Sequence, residues 1–242
     1  MNVVLSGFGT MGKVLLEQII QTDRLDVVGI VDPLHKEVLQ SFQELTQHVD
    51  VLIDFSHPSR LSEILDYATQ NQVAVLLATT GYSEKDIDAI KLASTKIPIL
   101  YTGNTSLGIN VLELITKELT KVLEGFDIEI IEAHHNQKID APSGTAKMLY
   151  NAVSEVRDVK RVFGRNGVSK REENDVTIHS IRGGSVVGEH SVRFLGEEEE
   201  LTISHRAFSK GLFAQGAIKA ALFLNKQEFG LFTMADVLRK VV

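Results

Sequence analysis

This sequence predicts an α/β fold: a Rossmann-type, doubly wound parallel sheet joined to a second α+β domain built on an open mixed sheet. Three observations carry that expectation. A strand-like start, residues 2–6, runs into Gly7-Phe8-Gly9-Thr10-Met11-Gly12 and then an amphipathic helix through Ile20, so G-x-G-x-x-G stands in the strand-turn-helix context that it requires. Apolar strand-like runs then alternate with helical runs as far as Tyr101, the mark of a parallel sheet covered on both faces. After Asn104 the pattern changes to a long helix followed by clustered strands, which marks a separate α+β unit.

Taken in order, the first glycine of the fingerprint permits the tight turn. The second lets the backbone approach a pyrophosphate, and the third lets helix and strand pack closely. Gly7, Phe8, Gly9, Thr10, Met11 and Gly12 are therefore candidate cofactor contacts. A second strand, 26–31, ends at Asp32, where a dinucleotide fold places the acid that meets the adenosine ribose. Further strands are expected at 51–55, 73–78 and 97–101, with helices at 61–69 and 84–93 between them. Two strand ends carry small hydrogen-bonding residues suited to a flat nicotinamide ring: Ala78-Thr79-Thr80 and Gly103-Asn104.

A helix is expected over 106–123 and a strand over 126–132, with His134 and His135 emerging at its end. Lys138 follows within a few positions. Pro142-Ser143-Gly144-Thr145 opens a helix over 146–156, and the free N-H groups of its first turn, with the two hydroxyls, make an anion site. Potential cations beside a helix start that already repels them are a costly arrangement for a mere packed loop. The absence of cysteine and of a carboxylate at a familiar ligand spacing reads against zinc.

Residues 160–175 form a polar stretch, and strands are expected at 176–181, 186–194 and 201–205. Arg182-Gly183-Gly184 and Gly188-Glu189-His190 read as turn or bulge punctuation, with His190 structural or at a subunit contact, and 197–200 as a hairpin turn. A helix over 212–224, a turn at Gly230, a Thr233 N-cap and a last short helix fit the first domain. The expected domains are thus a discontinuous dinucleotide-binding domain, 1–105 plus 210–242, and a substrate-binding and oligomerisation domain, 106–209. Two crossings at one place imply a hinge, with the ligand cleft between the domains.

At 242 residues with no cysteine, no signal segment and no apolar run long enough for a membrane, the chain reads as a soluble cytoplasmic protein. Its formal charge of −7 argues against a nucleic-acid partner and leaves an anionic small substrate possible where positive charge is gathered locally.

The segment E-x-H-H-x-x-K-x-D-A-P-S-G-T-A, from Glu132 to Ala146, resembles the signature of the dihydrodipicolinate reductases (4-hydroxy-tetrahydrodipicolinate reductases) of bacterial lysine and diaminopimelate synthesis. The resemblance extends from the first glycine loop through T-T-G, N-T-S and I-R-G-G-x-V-V-G-E-H to G-L-F-x-M-x-D-V-L. It implies a small cyclic imine dicarboxylate as substrate, reduced to tetrahydrodipicolinate with NADH or NADPH in a homotetramer. It also implies His134 and Lys138 as candidates for proton donation, the choice between them being open. His135, Ser143, Gly144 and Thr145 would hold substrate carboxylates, and Lys210 stands where the family is expected to carry arginine. Asp140 reads as orienting Lys138 or fixing the loop. Asp32 followed by Pro33 favours NADH at least as much as NADPH, with His35 and Lys36 partly compensating. Two other readings stay open: an aspartate- or homoserine-type dehydrogenase, and a nucleotide-sensing protein without turnover.

Overall fold

The structure is a computed structural model that describes residues 1–239; residues 240–242 of the returning segment lie outside them. The chain divides into two compact units, Met1–Leu107 with the segment from Lys210 onward, and Gly108–Ser209.

The first unit carries a six-stranded sheet in the order β11-β5-β4-β3-β1-β2, and every pairing in it is parallel. Its elements in chain order are β1 (Asn2–Ser6), α1 (Thr10–Ile20), β2 (Asp26–Val31), β3 (Val51–Asp54), α2 (Leu61–Asn71), β4 (Ala74–Leu77), α3 (Glu84–Ala93) and β5 (Pro98–Tyr101). After the second unit come α6 (Gly211–Leu224), β11 (Gly230–Phe232) and α7 (Met234–Arg239). Strands β3 and β4 are buried along their whole length, because helices cover both faces of the sheet. One core layer joins Leu5, Ile53 and Leu76 to α1 and to the alanine-rich face of α6, and the other joins Leu52, Val75 and Ile99 to α2 and α3. The Thr105 hydroxyl donates to the Phe213 carbonyl at 2.8 Å, tying α6 to the end of the outgoing chain. The strand order reverses between β2 and β3 on either side of β1, so the glycine loop after β1 sits at a topological switch point.

The second unit carries a five-stranded mixed sheet, order β10-β9-β6-β8-β7. Its elements are α4 (Leu107–Val122), which begins in the last residue of the first unit, β6 (Asp127–His134), α5 (Gly144–Ser154), β7 (Lys160–Phe163), β8 (Asp175–Arg182), β9 (Gly188–Leu195) and β10 (Glu200–Ala207). Strand β6 is parallel to β8 and antiparallel to β9. Its even-numbered residues Ile128 and Ile130 join Val176, Ile178, Val192 and Phe194 under α4 and α5. The odd-numbered face has no helix packed on it among the core contacts.

Three sequence expectations are corrected. Residues 160–163, placed in a polar stretch, form β7, an edge strand paired only with β8, where charged residues are tolerated. Gly188-Glu189-His190 is not a turn but the start of β9, paired along its length with β6 and β10. Gly230 does adopt a positive φ, yet it also opens β11, a short strand on β5. Arg182 ends β8, and the turn expected there begins after it, with Gly183 N-H donating to the His134 carbonyl at 2.9 Å.

Candidate active site

In the first unit the glycine loop is built as the fingerprint requires. Gly7 has φ +96, and a Cβ there would lie 2.7 Å from the Phe55 carbonyl oxygen. A Cβ on Gly12 would sit 2.1 Å from the Gly7 oxygen, so the start of α1 can close on β1 only with glycine there. Gly9, by contrast, faces open space and serves as the N-cap of α1 without any side-chain cap. No acidic residue occupies the first turn of α1, so its leading N-H groups are left for an anionic ligand. Thr10 is exposed, and Phe8 and Met11 are half-buried. The Phe8 ring has the Lys13 ammonium 5.0 Å from its centroid and the His35 ring 5.7 Å away edge-on. These observations fit a dinucleotide pyrophosphate.

Asp32 is buried and its carboxylate is well supplied with donors. Phe8 N-H donates to Oδ2 at 2.7 Å and Leu34 N-H to Oδ1 at 2.9 Å, while His35 Nδ1 lies 3.0 Å from Oδ2. Burial works against the charge, but these donors more than offset it and hold the carboxyl below its ordinary range. Asp54, fully buried at the end of β3, accepts from the Ser56 hydroxyl at 2.5 Å and the Tyr82 hydroxyl at 3.3 Å, which fixes the loop lying against Gly7. His57 caps the short 3-10 turn that follows, accepting from Ser59 N-H.

The two loops read as nicotinamide contacts lie side by side: a Cβ on Gly103 would come 3.9 Å from the Thr80 methyl. Thr79 is buried, Ala78 is half-buried and Thr80 is exposed. The Asn104 side chain accepts from Ser106 N-H at 2.9 Å and is thereby oriented. Lys210 is the exposed N-cap residue of α6.

In the second unit His134 ends β6, with Nδ1 only 2.6 Å from Glu132 Oε2. Glu132 is fully buried, and Arg182 grips both of its oxygens, Nη1 to Oε2 at 2.8 Å and Nη2 to Oε1 at 2.7 Å. Ser143 N-H donates to Oε1 at 3.1 Å. Burial alone would keep Glu132 neutral, but His134, Arg182, Ser180 and the Ser143 amide hold it well below the usual carboxylate range. Arg182 also donates to the Asp140 carbonyl, tying the 135–142 loop to β8. Lys138 pairs with Asp140 at 2.7 Å, and His135 sits half-buried at the start of the same loop.

Ser143 is the N-cap of α5: its Oγ accepts from Ala146 N-H at 3.2 Å and lies 3.1 Å from His190 Nε2. That hydroxyl is buried, so the accessible part of the helix start is Gly144, which is exposed, and half-buried Thr145. His190 packs edge-on against His134 at 5.1 Å, and burial, then the neighbouring His134, pushes its pKa down to about 3. Ligand-capable atoms of Glu132, His134 and His190 lie within 4.8 Å of one another. The Arg182 guanidinium already balances Glu132, so the trio is a hydrogen-bonded network around a cation that the protein itself supplies.

Sequence reading brought out His134, His135, Lys138 and the helix start, and the structure gathers them around one loop. It missed Glu132 as the anchor, Arg182 as its partner and His190 as the histidine behind Ser143. The available signal for the first was a glutamate at an inward-facing position of an alternating strand, which demands a buried partner.

A parallel α/β unit with a glycine fingerprint after its first strand, joined to a mixed-sheet unit, is the architecture of an oxidoreductase of nicotinamide type. Family models described as the N-terminus and the C-terminus of dihydrodipicolinate reductase match residues 1–105 and 108–238. The 4-hydroxy-tetrahydrodipicolinate reductase of Caldanaerobacter subterraneus subsp. tengcongensis is 45% identical over 239 residues, covering 96% of this chain and 95% of its own. That of Clostridium novyi is 43% identical, covering 98% of each. Among solved structures, a dipicolinate-bound dihydrodipicolinate reductase from Paenisporosarcina sp. TG-14 superposes with a TM-score of 0.82 at 23% identity over 96% of this chain and 97% of its own. An aspartate dehydrogenase from Thermotoga maritima shares the fold more distantly, TM-score 0.51 at 15% identity over 95% of this chain and 99% of its own. The chain belongs to the dihydrodipicolinate reductase family.

Proposed function

We propose that this protein reduces the cyclic, unsaturated imine dicarboxylate dihydrodipicolinate, derived from 4-hydroxy-tetrahydrodipicolinate, to tetrahydrodipicolinate with NADH or NADPH. The reaction belongs to lysine and diaminopimelate synthesis, in the cytoplasm, with a homotetramer as the working form. The observation that carries the reading is the His134–Glu132–Arg182 network beside the start of α5, which ties the family's most specific motif to the end of β8.

The first unit is the dinucleotide-binding part. Its glycine loop and the open start of α1 take the pyrophosphate, Asp32 marks the adenosine ribose, and Ala78, Thr79, Thr80, Gly103 and Asn104 border the nicotinamide. When bound, the reduced nicotinamide supplies a hydride. The second unit takes the substrate. Hydride addition leaves electron density on the conjugated ring, and His134 or Lys138 delivers the proton that quenches it, typically worth ~10²- to 10⁴-fold in rate. Glu132 engages His134 Nδ1, which leaves Nε2 as the nitrogen available for that transfer. His135 pairs with one carboxylate, and the α5 start that Ser143 anchors takes the other through the Gly144 and Thr145 backbone N-H groups and the Thr145 hydroxyl. Lys210 adds a charge to the substrate's binding.

The test is loss of reduced-nicotinamide absorbance when a synthase generates the cyclic imine in place. Substrate-dependent oxidation of the cofactor is expected. Cofactor binding with no turnover would favour a nucleotide sensor, and turnover of an amino acid but not the imine would favour an aspartate-type dehydrogenase.

A further inference from the structure

Resting on the nicotinamide reading above, we infer that Arg60 holds the phosphate on the adenosine 2′-hydroxyl of NADPH, and that this residue lets the chain accept NADPH beside Asp32. A cavity of about 460 Å³ opens beside the glycine loop, with Gly7, Gly9, Asp32, His35, His57 and Arg60 among its walls. Pyrophosphate belongs at its Gly9 end, over the start of α1, and the adenosine ribose belongs at Asp32, the residue after β2. What stands beyond Asp32 therefore meets the 2′ position.

An acid at the end of β2 ordinarily excludes a 2′-phosphate in two ways: it grips the free ribose hydroxyls and repels the added charge. Both effects are weakened here. Each Asp32 oxygen already accepts a backbone N-H, from Phe8 and from Leu34, and His35 stands 3.0 Å from Oδ2. The carboxylate is thus turned toward its own loops. Lys36, the obvious cation by sequence position, is exposed and does not line the cavity.

Among the described residues, Arg60 is the only lysine or arginine in the cavity wall. Its side chain is 12% exposed, with the guanidinium 5.6 Å over the Phe42 ring and Nε 3.0 Å from Glu63. Its Nη2 lies out of solvent contact with no hydrogen-bond acceptor, so a turn of the side chain toward the cavity exchanges an unsatisfied donor for a phosphate contact. A buried guanidinium N-H without an acceptor is costly, and a phosphate oxygen is the partner that guanidinium geometry suits best. The neighbouring imidazoles of His35 and His57 add donors without adding a competing anion.

The experiment is calorimetric titration of the full-length protein with ADP-ribose and with 2′-phospho-ADP-ribose, which reads binding without turnover. Arg60→Met keeps an apolar stem over Phe42 while removing the charge. Arg60→Lys keeps the charge and loses the planar fork. Arg60→Met is expected to weaken 2′-phospho-ADP-ribose at least tenfold and to leave ADP-ribose within twofold, with Arg60→Lys between. Circular dichroism and thermal melting check that each variant is folded. If Arg60→Met misfolds, Arg60→Lys and the salt dependence of the wild-type affinity ratio carry the test: a ratio that salt leaves unchanged overturns the inference. Equal loss for both ligands, or no loss for either, also overturns it, as would the tenfold loss appearing in Lys36→Ala instead. ADP-ribose binding with an unaltered phosphate preference would sink Arg60's role alone. Failure of the wild type to bind either ligand would sink the dinucleotide reading as well.

Discussion

His134 is held through Nδ1 by a carboxylate that stays ionised throughout the neutral range, so the ring is fixed in orientation and presents Nε2. Lys138, four residues further along the chain, is held instead by exposed Asp140. If either group delivers the proton, His134→Ala or Lys138→Ala should lower kcat by roughly 10²-fold or more with little change in KM, because the interaction matters in the transition state. His135→Ala should act mainly on KM. Steady-state kinetics check this, and a KM effect at His134 with a kcat effect at His135 would mean that the roles are exchanged. Lys210 is a point charge where the family resemblance implies a forked guanidinium. A charge-assisted hydrogen bond is worth roughly 1.5 to 3 kcal/mol, so Lys210→Ala should raise the substrate KM about tenfold or more. Lys210→Arg should keep or modestly improve it. Unchanged kinetics in Lys210→Ala would leave the lysine a solvated surface charge.

At the scale of elements, strand β6 and helix α5 meet through Glu132, Ser143 and His190, and this junction should be visible in the pH dependence of stability. His190 has its pKa pushed down to about 3 from 6.5 by burial and by His134, so the folded form keeps it neutral where the unfolded chain would protonate it. The unfolded state then binds more protons below pH 6.5, and stability falls as pH drops from about 6.5 toward about 3, with a slope approaching ~1.4 kcal/mol per unit. Glu132, lowered from 4.5, adds a loss in the same direction, but only below its own unfolded value. Thermal melts between pH 7 and pH 5 read His190 together with His205, whose pKa burial also lowers, so the difference between the wild type and a His190 variant isolates the former. His190→Gln should flatten that part of the profile, and an unchanged slope would refute the assignment. Most elements here were legible because their signals are local: alternation in β6, the Ser143 cap, the glycine fingerprint. Strand β7 was not, since Lys160-Arg161 looks like loop chemistry and becomes strand only through pairing with β8. Arg182 was legible as a turn residue alone, because its partner Glu132 lies 50 positions away in sequence.

At the scale of the whole molecule, the second unit leaves one face of its sheet without a helix, and that face carries the assembly prediction. Ile131 and Ala133 on β6 register against His179 and Ile181 on β8, so these side chains form a patch on the face opposite the core. Ile181 is 55% exposed, unusual for an isoleucine at mid-sheet. The charges around the patch are already paired within the unit, Arg193 with Glu200, Arg206 with Glu189, and His179 with Glu129. Ion pairs that bring their counter-charge with them cost less to cover than lone charges would. A symmetric copy of the same face supplies the simplest cover, because one patch can then satisfy itself. Light scattering at micromolar concentration is expected to give a tetramer for the wild type. Ile181→Glu puts an unpaired carboxylate into the contact and should shift the mass toward smaller species, while far-UV dichroism stays unchanged because the residue is outside the core. A monomeric wild type would overturn the assembly, and a tetramer indifferent to Ile181→Glu would move it to another face.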